Sequence, residues 1–236
     1  MKRVMAALLL LALGGRALGA DVVEGVWSGE AELGYVQTSG NTETTTINVR
    51  AAAALRHAAW LHDFEFTGLR ATDGGVTTAD SISLLYRVEY NLSDIDALFG
   101  SLRGEDNRFA GFDRRYTEVL GYRRSVIRTD SHTLKLEAGI GARQTRNVDG
   151  TRTSEGILRA ALDYAWQITE SSSFKQAISM ENGSDNRVTE SVTELKLKIN
   201  GNLSMKTTLT VKNNSTVPPG VRNTDVQTAV TLVYDF

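Results

Sequence analysis

Along most of the chain, apolar and polar positions alternate with a period of two, as in β-strands whose two faces meet different surroundings. Ile82, Leu84, Tyr86, Val88 and Tyr90 alternate with Ser81, Ser83, Arg87 and Glu89. Leu134, Leu136, Ala138, Ile140 and Ala142 are set against Lys135, Glu137 and Arg143, and Leu158, Ala160, Leu162, Tyr164 and Trp166 against Glu155, Arg159 and Asp163. About twelve such segments are predicted, with no helical period among them. Two places break the rule. Glu118 shares parity with Leu120 and Tyr122, and parity changes between Val192 and Leu195; a β-bulge would repair either.

Ten or eleven residues, at ~3.3 Å each and tilted by ~40°, rise about 26 Å, close to the ~25 Å apolar band of an outer-membrane barrel. The predicted connections alternate in length. Short ones fall near His57-Ala58-Ala59, Asn91 to Asp96, Arg128 to Ser131, Thr169 to Ser172 and Asn200 to Ser204. Longer ones fall at Arg70 to Asp80, Glu105 to Arg115, Thr145 to Thr153, Asn182 to Arg187 and Asn213 to Asp225, with a tight hairpin at Gly40-Asn41 as the exception. Trp27, Trp60 and Trp166 sit at the short-turn end with Tyr90, Phe174, Tyr234 and Phe236, an aromatic girdle at one membrane boundary. The fold class expected is all-β: an antiparallel transmembrane β-barrel of about twelve strands, with both termini in the periplasm.

Charge fixes which face is inside. A Lys or Arg facing lipid near the midplane costs ~2–4 kcal/mol. The mixed-sign polar face is therefore lumenal, and Arg87, Glu89, Lys135, Glu137, Arg143, Arg159, Asp163, Lys196 and Lys198 are its candidate pore-lining residues.

Residues 1–19 have the organisation of a cleaved signal peptide: Lys2 and Arg3, an apolar run from Val4 to Leu13, and Ala17-Leu18-Gly19 before the cleavage point. The barrel is then expected to occupy 20–236, exported to the cell outer membrane. The 236 residues are 41% apolar and 23% charged, with net charge −2 and no Cys, which excludes a disordered chain, a disulfide scaffold and a Cys-ligated metal centre. No basic excess points to nucleic acid, and no apolar run is long enough for a membrane helix.

Candidate chemistry is sparse. His57, His62 and His132 all fall at the short-turn end, away from Ser83, Ser101, Ser154 and Ser191, so no Ser–His pair is predicted and the chain is not expected to be an enzyme. The Asp residues of the outer connections lack the D-x-D-x-D spacing of a calcium site, and no metal or other cofactor is expected. Arg108, Arg114 and Arg115 flank Phe109 and Phe112, a group suited to lipopolysaccharide phosphates at the outer leaflet.

Several blocks resemble one bacterial family: Gly34-Tyr35-Val36-Gln37-Thr38-Ser39-Gly40-Asn41-Thr42, Glu105-Asp106-Asn107-Arg108-Phe109-Ala110-Gly111-Phe112-Asp113, Leu136-Glu137-Ala138-Gly139-Ile140-Gly141, Asn214-Ser215-Thr216-Val217-Pro218-Pro219-Gly220 and Thr231-Leu232-Val233-Tyr234-Asp235-Phe236. The chain is similar to the salt-induced outer membrane proteins, a family also catalogued as a domain of unknown function. The resemblance implies a Gram-negative outer-membrane barrel in a salt or osmotic setting, with no established activity and no catalytic residues to transfer. Val230, Leu232, Tyr234 and Phe236 resemble the C-terminal signal read by the barrel assembly machinery, which needs an apolar edge strand able to pair with another sheet. The function expected is a narrow, weakly selective passage for ions or small polar solutes. The alternatives are a closed structural or lipopolysaccharide-binding barrel and an outer-membrane hydrolase.

Overall fold

The computed structural model describes residues 25–38 and 43–236. The signal segment and the Gly40-Asn41 hairpin lie outside the described residues. Twelve strands follow in order: β1 (Val26–Thr38), β2 (Thr44–His57), β3 (Trp60–Asp73), β4 (Val76–Asn91), β5 (Asp96–Asn107), β6 (Phe112–Arg128), β7 (His132–Asn147), β8 (Arg152–Thr169), β9 (Ser172–Gly183), β10 (Arg187–Asn200), β11 (Leu203–Asn214) and β12 (Thr224–Asp235). Every strand pairs antiparallel with its sequence neighbours, and β1 pairs with β12 to close the barrel. This pairing closes the sheet where the two terminal strands meet.

The register assigns the faces as the alternation predicts. Glu32 faces Arg50, Arg50 faces Thr67, and Asp163 faces Lys135, all on the inner side. Leu120, Ile140 and Leu158 stand side by side on the outer side, each well exposed. The aromatic girdle forms at the end that carries the termini. Trp60 packs on Tyr90 with ring centres 4.8 Å apart, and Trp166 stacks on His132 at 5.7 Å.

Three expectations need correction. The strands are 12 to 18 residues long rather than ten or eleven. Above the membrane both faces meet water, so the ladder continues through polar residues that carry no alternation signal. Arg70 to Asp80 is therefore mostly strand, turned by Gly74-Gly75, both at positive φ. Second, no bulge repairs Glu118: the β5–β6 and β6–β7 registers run unbroken through it, and its side chain faces outward beside Leu102 and Ala142. Third, β10 keeps one parity from Val188 to Lys198, so Val192 points inward while Ser191 and Thr193 point out to meet Gln176. Bulges do occur, but near strand ends, as at Ala71/Thr72 and Ser125/Ile127.

The closing seam is short. The β1–β12 ladder runs from Glu30–Asp235 to Leu33–Leu232, extended by paired backbone bonds between Gly29 and Phe236 of 2.8 and 2.9 Å. The Phe236 ring covers Gly29, where an added Cβ would lie 2.5 Å from it. Val230, Leu232, Tyr234 and Phe236 all face outward and are exposed. Gly29→Val should displace Phe236 and destabilise the barrel by about 1–3 kcal/mol, the usual cost of overpacking. The folded, faster-migrating gel species should then be lost at a lower heating temperature than in the wild type.

Candidate functional site: a cross-braced lumen

All nine candidate lining residues lie on the inner face by register. Ion pairs of two kinds hold them and their neighbours. One kind runs around the wall. Arg50 contacts Glu30, meets Glu32 at 2.6 Å and Glu65 at 2.6 Å, while Lys206 contacts Glu32. Arg143 holds Glu155 at 2.7 Å, and Arg159 holds Glu181 at 2.9 Å. These pairs belong to adjacent or nearly adjacent strands, so the β-register alone brings them together.

The second kind crosses the lumen. Lys212 on β11 lies 2.6 Å from Glu105 on β5, and Arg103 on β5 lies 3.4 Å from Glu190 on β10. Lys212 also stands 3.8 Å from Glu190, which joins the four side chains into one chain of alternating charge. Twelve strands spaced ~4.8 Å apart and tilted ~40° would enclose a circular wall ~24 Å across. An extended lysine and glutamate in contact span only ~14 Å between their Cα atoms. β5 and β11 are six strands apart, half the circumference, so the barrel is flattened where this brace stands.

Towards the termini the wall is braced differently. Arg87 reaches from β4 to Glu137 on β7 at 2.6 Å, and its guanidinium lies 4.0 Å from the centre of the Phe99 ring. Phe99 packs with Val119 and Ile157 in an apolar cluster inside the lumen. Gly121 makes this possible, because a Cβ there would sit 2.6 Å from the Phe99 ring. Lys196 bridges Glu30 at 3.3 Å and Asp235 at 2.6 Å. Below it a recess of about 400 Å³ opens among Lys196, Lys198, Ser204, Asp235 and the short turns at that end.

The braces are weak individually. Two unit charges in contact attract by ~4 kcal/mol at an effective dielectric near 20 and ~1 kcal/mol in water, before desolvation is subtracted. The side chains of Lys212 and Glu105 are 23% and 12% exposed, so water reaches the central pair. A lattice of such contacts bridges the lumen with groups that can separate.

The other candidate residues fall elsewhere. Arg115 does not stand with Arg108 and Arg114: β6 has already begun, so adjacent residues point to opposite faces. Arg115 is buried in the lumen, stacked on Phe112 at 4.0 Å and bonded to Asn214 at 3.3 Å. Arg108 pairs with Asp113 at 3.2 Å, and Arg114 is exposed on the outer face. His62 and His132 each join a tyrosine on the outer face, Tyr86 at 2.9 Å and Tyr164 at 2.8 Å. Among the described residues, no three His, Cys, Asp or Glu side chains converge as metal ligands. The cross-lumen partners were not legible in the sequence, because they depend on which strands face each other after closure.

Geometry of this kind defines a twelve-stranded transmembrane β-barrel of the outer-membrane type. The chain belongs to the family described as "Protein of unknown function, DUF481", which matches residues 31–236. It is 24% identical over 211 residues to the "Uncharacterized protein YdiY" of Escherichia coli (strain K12), covering 89% of this chain and 83% of that protein. The fold is shared with the NanC porin (TM-score 0.54, 12% identity, 87% of this chain and 98% of that one). It is also shared with an outer membrane channel from Pseudomonas putida F1 (TM-score 0.54, 11% identity, 93% and 100%). The translocator domain of the autotransporter NalP from Neisseria meningitidis is similar as well (TM-score 0.50, 13% identity, 90% and 88%).

Glu155 offers a test of the wall pairs. It holds buried Arg143 and accepts the backbone N–H groups of Asp185 at 2.7 Å and Asn186 at 3.2 Å. Glu155→Leu strips Arg143 of its shortest carboxylate contact and should cost about 3–5 kcal/mol in denaturant unfolding of the refolded protein in micelles.

Proposed function

We propose that the protein is a gated, narrow channel of the outer membrane, passing ions and small polar solutes when the cross-lumen ion pairs part. The observation that carries this reading is the contact between opposite walls, Lys212 with Glu105 and Arg103 with Glu190. No folded domain fills the lumen among the described residues; side chains that water reaches bridge it. The mixed signs of the lining favour weak selectivity. The shared fold with channel proteins supports the class of function.

Ionic strength is the natural control of such a gate. The screening length falls from ~10 Å at 0.1 M salt to ~3 Å at 1 M, which weakens the water-reachable cross-lumen pairs more than buried wall pairs such as Arg143–Glu155. A channel that opens as salt rises accords with the osmotic setting that the family resemblance implies. The inward cluster of Phe99, Val119 and Ile157 favours a second reading, a permanently closed structural barrel.

Currents across planar bilayers separate the two. Wild-type protein should give small discrete steps whose open probability rises with salt. Replacing Arg103, Glu105, Glu190 and Lys212 together by Ser leaves the net charge unchanged and should raise single-channel conductance several-fold. Silence from both proteins, with folding verified, would leave only the closed barrel.

A further inference from the structure

On the outer surface the register brings together three arginines from three successive strands. Arg114 on β6 pairs directly with Arg146 on β7, and Arg146 pairs directly with Arg152 on β8. Arg114 and Arg146 take the outward parity of their strands, Arg152 joins them through its pairing with Arg146, and all three are exposed. Like charges directly opposite in a sheet destabilise it, so two consecutive pairs of this kind call for an outside partner. On β3 and β4 the outward Arg70 instead faces Asp80.

The nearby acids do not neutralise the row. Asp113 lies 3.9 Å from Arg146 but is shared with Arg108 at 3.2 Å. Asp149, in the turn between Arg146 and Arg152, accepts the Thr151 backbone N–H at 2.9 Å and its hydroxyl at 2.6 Å. Glu118 stands four residues down β6 from Arg114, ~13 Å along the strand. Among the described residues Arg114 and Arg152 make no ion pair.

Depth identifies the partner. β8 runs 14 residues from the girdle residue Trp166 to Arg152, a rise of ~35 Å at ~3.3 Å per residue and ~40° tilt. With an apolar band of ~25 Å, the arginines stand in the headgroup layer of the outer leaflet. The rows beneath them grade towards lipid. Tyr116, Gln144 and Ser154 form the next row, Glu118, Ala142 and Gly156 the one after it, with the Glu118 carboxylate as its one polar side chain, and Leu120, Ile140 and Leu158 the row below that. A guanidinium row above hydrogen-bonding side chains above an apolar wall matches a ligand with phosphates, a polar sugar–amide region and acyl chains, in that order.

We propose that Arg114, Arg146 and Arg152 form a binding site for a phosphorylated glycolipid of the outer leaflet, the lipid A headgroup of lipopolysaccharide. The site lies on the outer wall and does not depend on whether the lumen conducts.

The test titrates the refolded full-length barrel in micelles with bisphosphorylated lipid A, with its dephosphorylated form and with inorganic phosphate, reading complexes by native mass spectrometry. The barrel should hold bisphosphorylated lipid A in a saturable complex, and the Arg114→Gln/Arg146→Gln/Arg152→Gln variant should bind it at least tenfold more weakly. Arg128→Gln, at the opposite end of β6, should bind like the wild type. Heat-modified migration reports folding, and Arg146→Lys, which keeps the charge, covers the case in which the triple variant does not fold. It should retain most of the binding. Equal affinity of wild-type and triple variant, equal binding of the dephosphorylated lipid, or displacement by inorganic phosphate at matching concentration would each overturn the assignment.

Discussion

Everything in this molecule follows from the need to satisfy backbone hydrogen bonds where no water is present. In hydrocarbon an unpaired N–H or C=O costs several kcal/mol, so a spanning sheet must close on itself. Closure between β1 and β12 gives every strand an inside and an outside. The outside then has to be apolar over the height of the membrane, and the charges have only the inside or the rims to occupy. Two populations result: a lumenal lattice of both signs, and a rim row of one sign.

The lumen resolves a conflict of size. Twelve strands enclose more space than a ring of short side chains fills, yet less than the water-filled bore of the 16–18-stranded porins. Here long Arg, Lys and Glu side chains meet in the middle and draw opposite walls together at Glu105 and Lys212. Inward glycine at Gly121 gives Phe99 room to add bulk on one side. The lumen is thus bridged by side chains whose contacts are electrostatic, beside the apolar cluster of Phe99, Val119 and Ile157.

Alternation made the class of fold, the girdle of Trp60 and Trp166, and the inward placing of Arg87, Lys135 and Arg159 legible in the sequence, because each depends only on local parity. What depends on register or closure was not. Arg114 and Arg115 look equivalent as neighbours in a chain, but a strand sends one to the surface and buries the other. Arg146 and Arg152 look like loop residues until the β7–β8 ladder sets them side by side. The pairing of Glu105 with Lys212 requires knowing that β5 and β11 lie opposite. Glu118 invited a bulge because an acid on the apolar face violates the pattern, yet the ladder runs straight through it.

The cross-lumen ion pairs hold the barrel as an oval, narrow between β5 and β11. The chain contains no Cys, so pairs of spin labels can be placed at will. Labels at Gly104 and Val211, outward neighbours of the brace, report the short axis; labels at Val49 and Leu158, on β2 and β8, report the axis at right angles to it. Pulsed electron–electron distance measurements should find the first pair closer than the second by ~10 Å or more, the difference between a ~14 Å and a ~24 Å Cα separation. Equal distances would mean a round barrel, with Lys212 and Glu105 out of reach of each other and the lumen open.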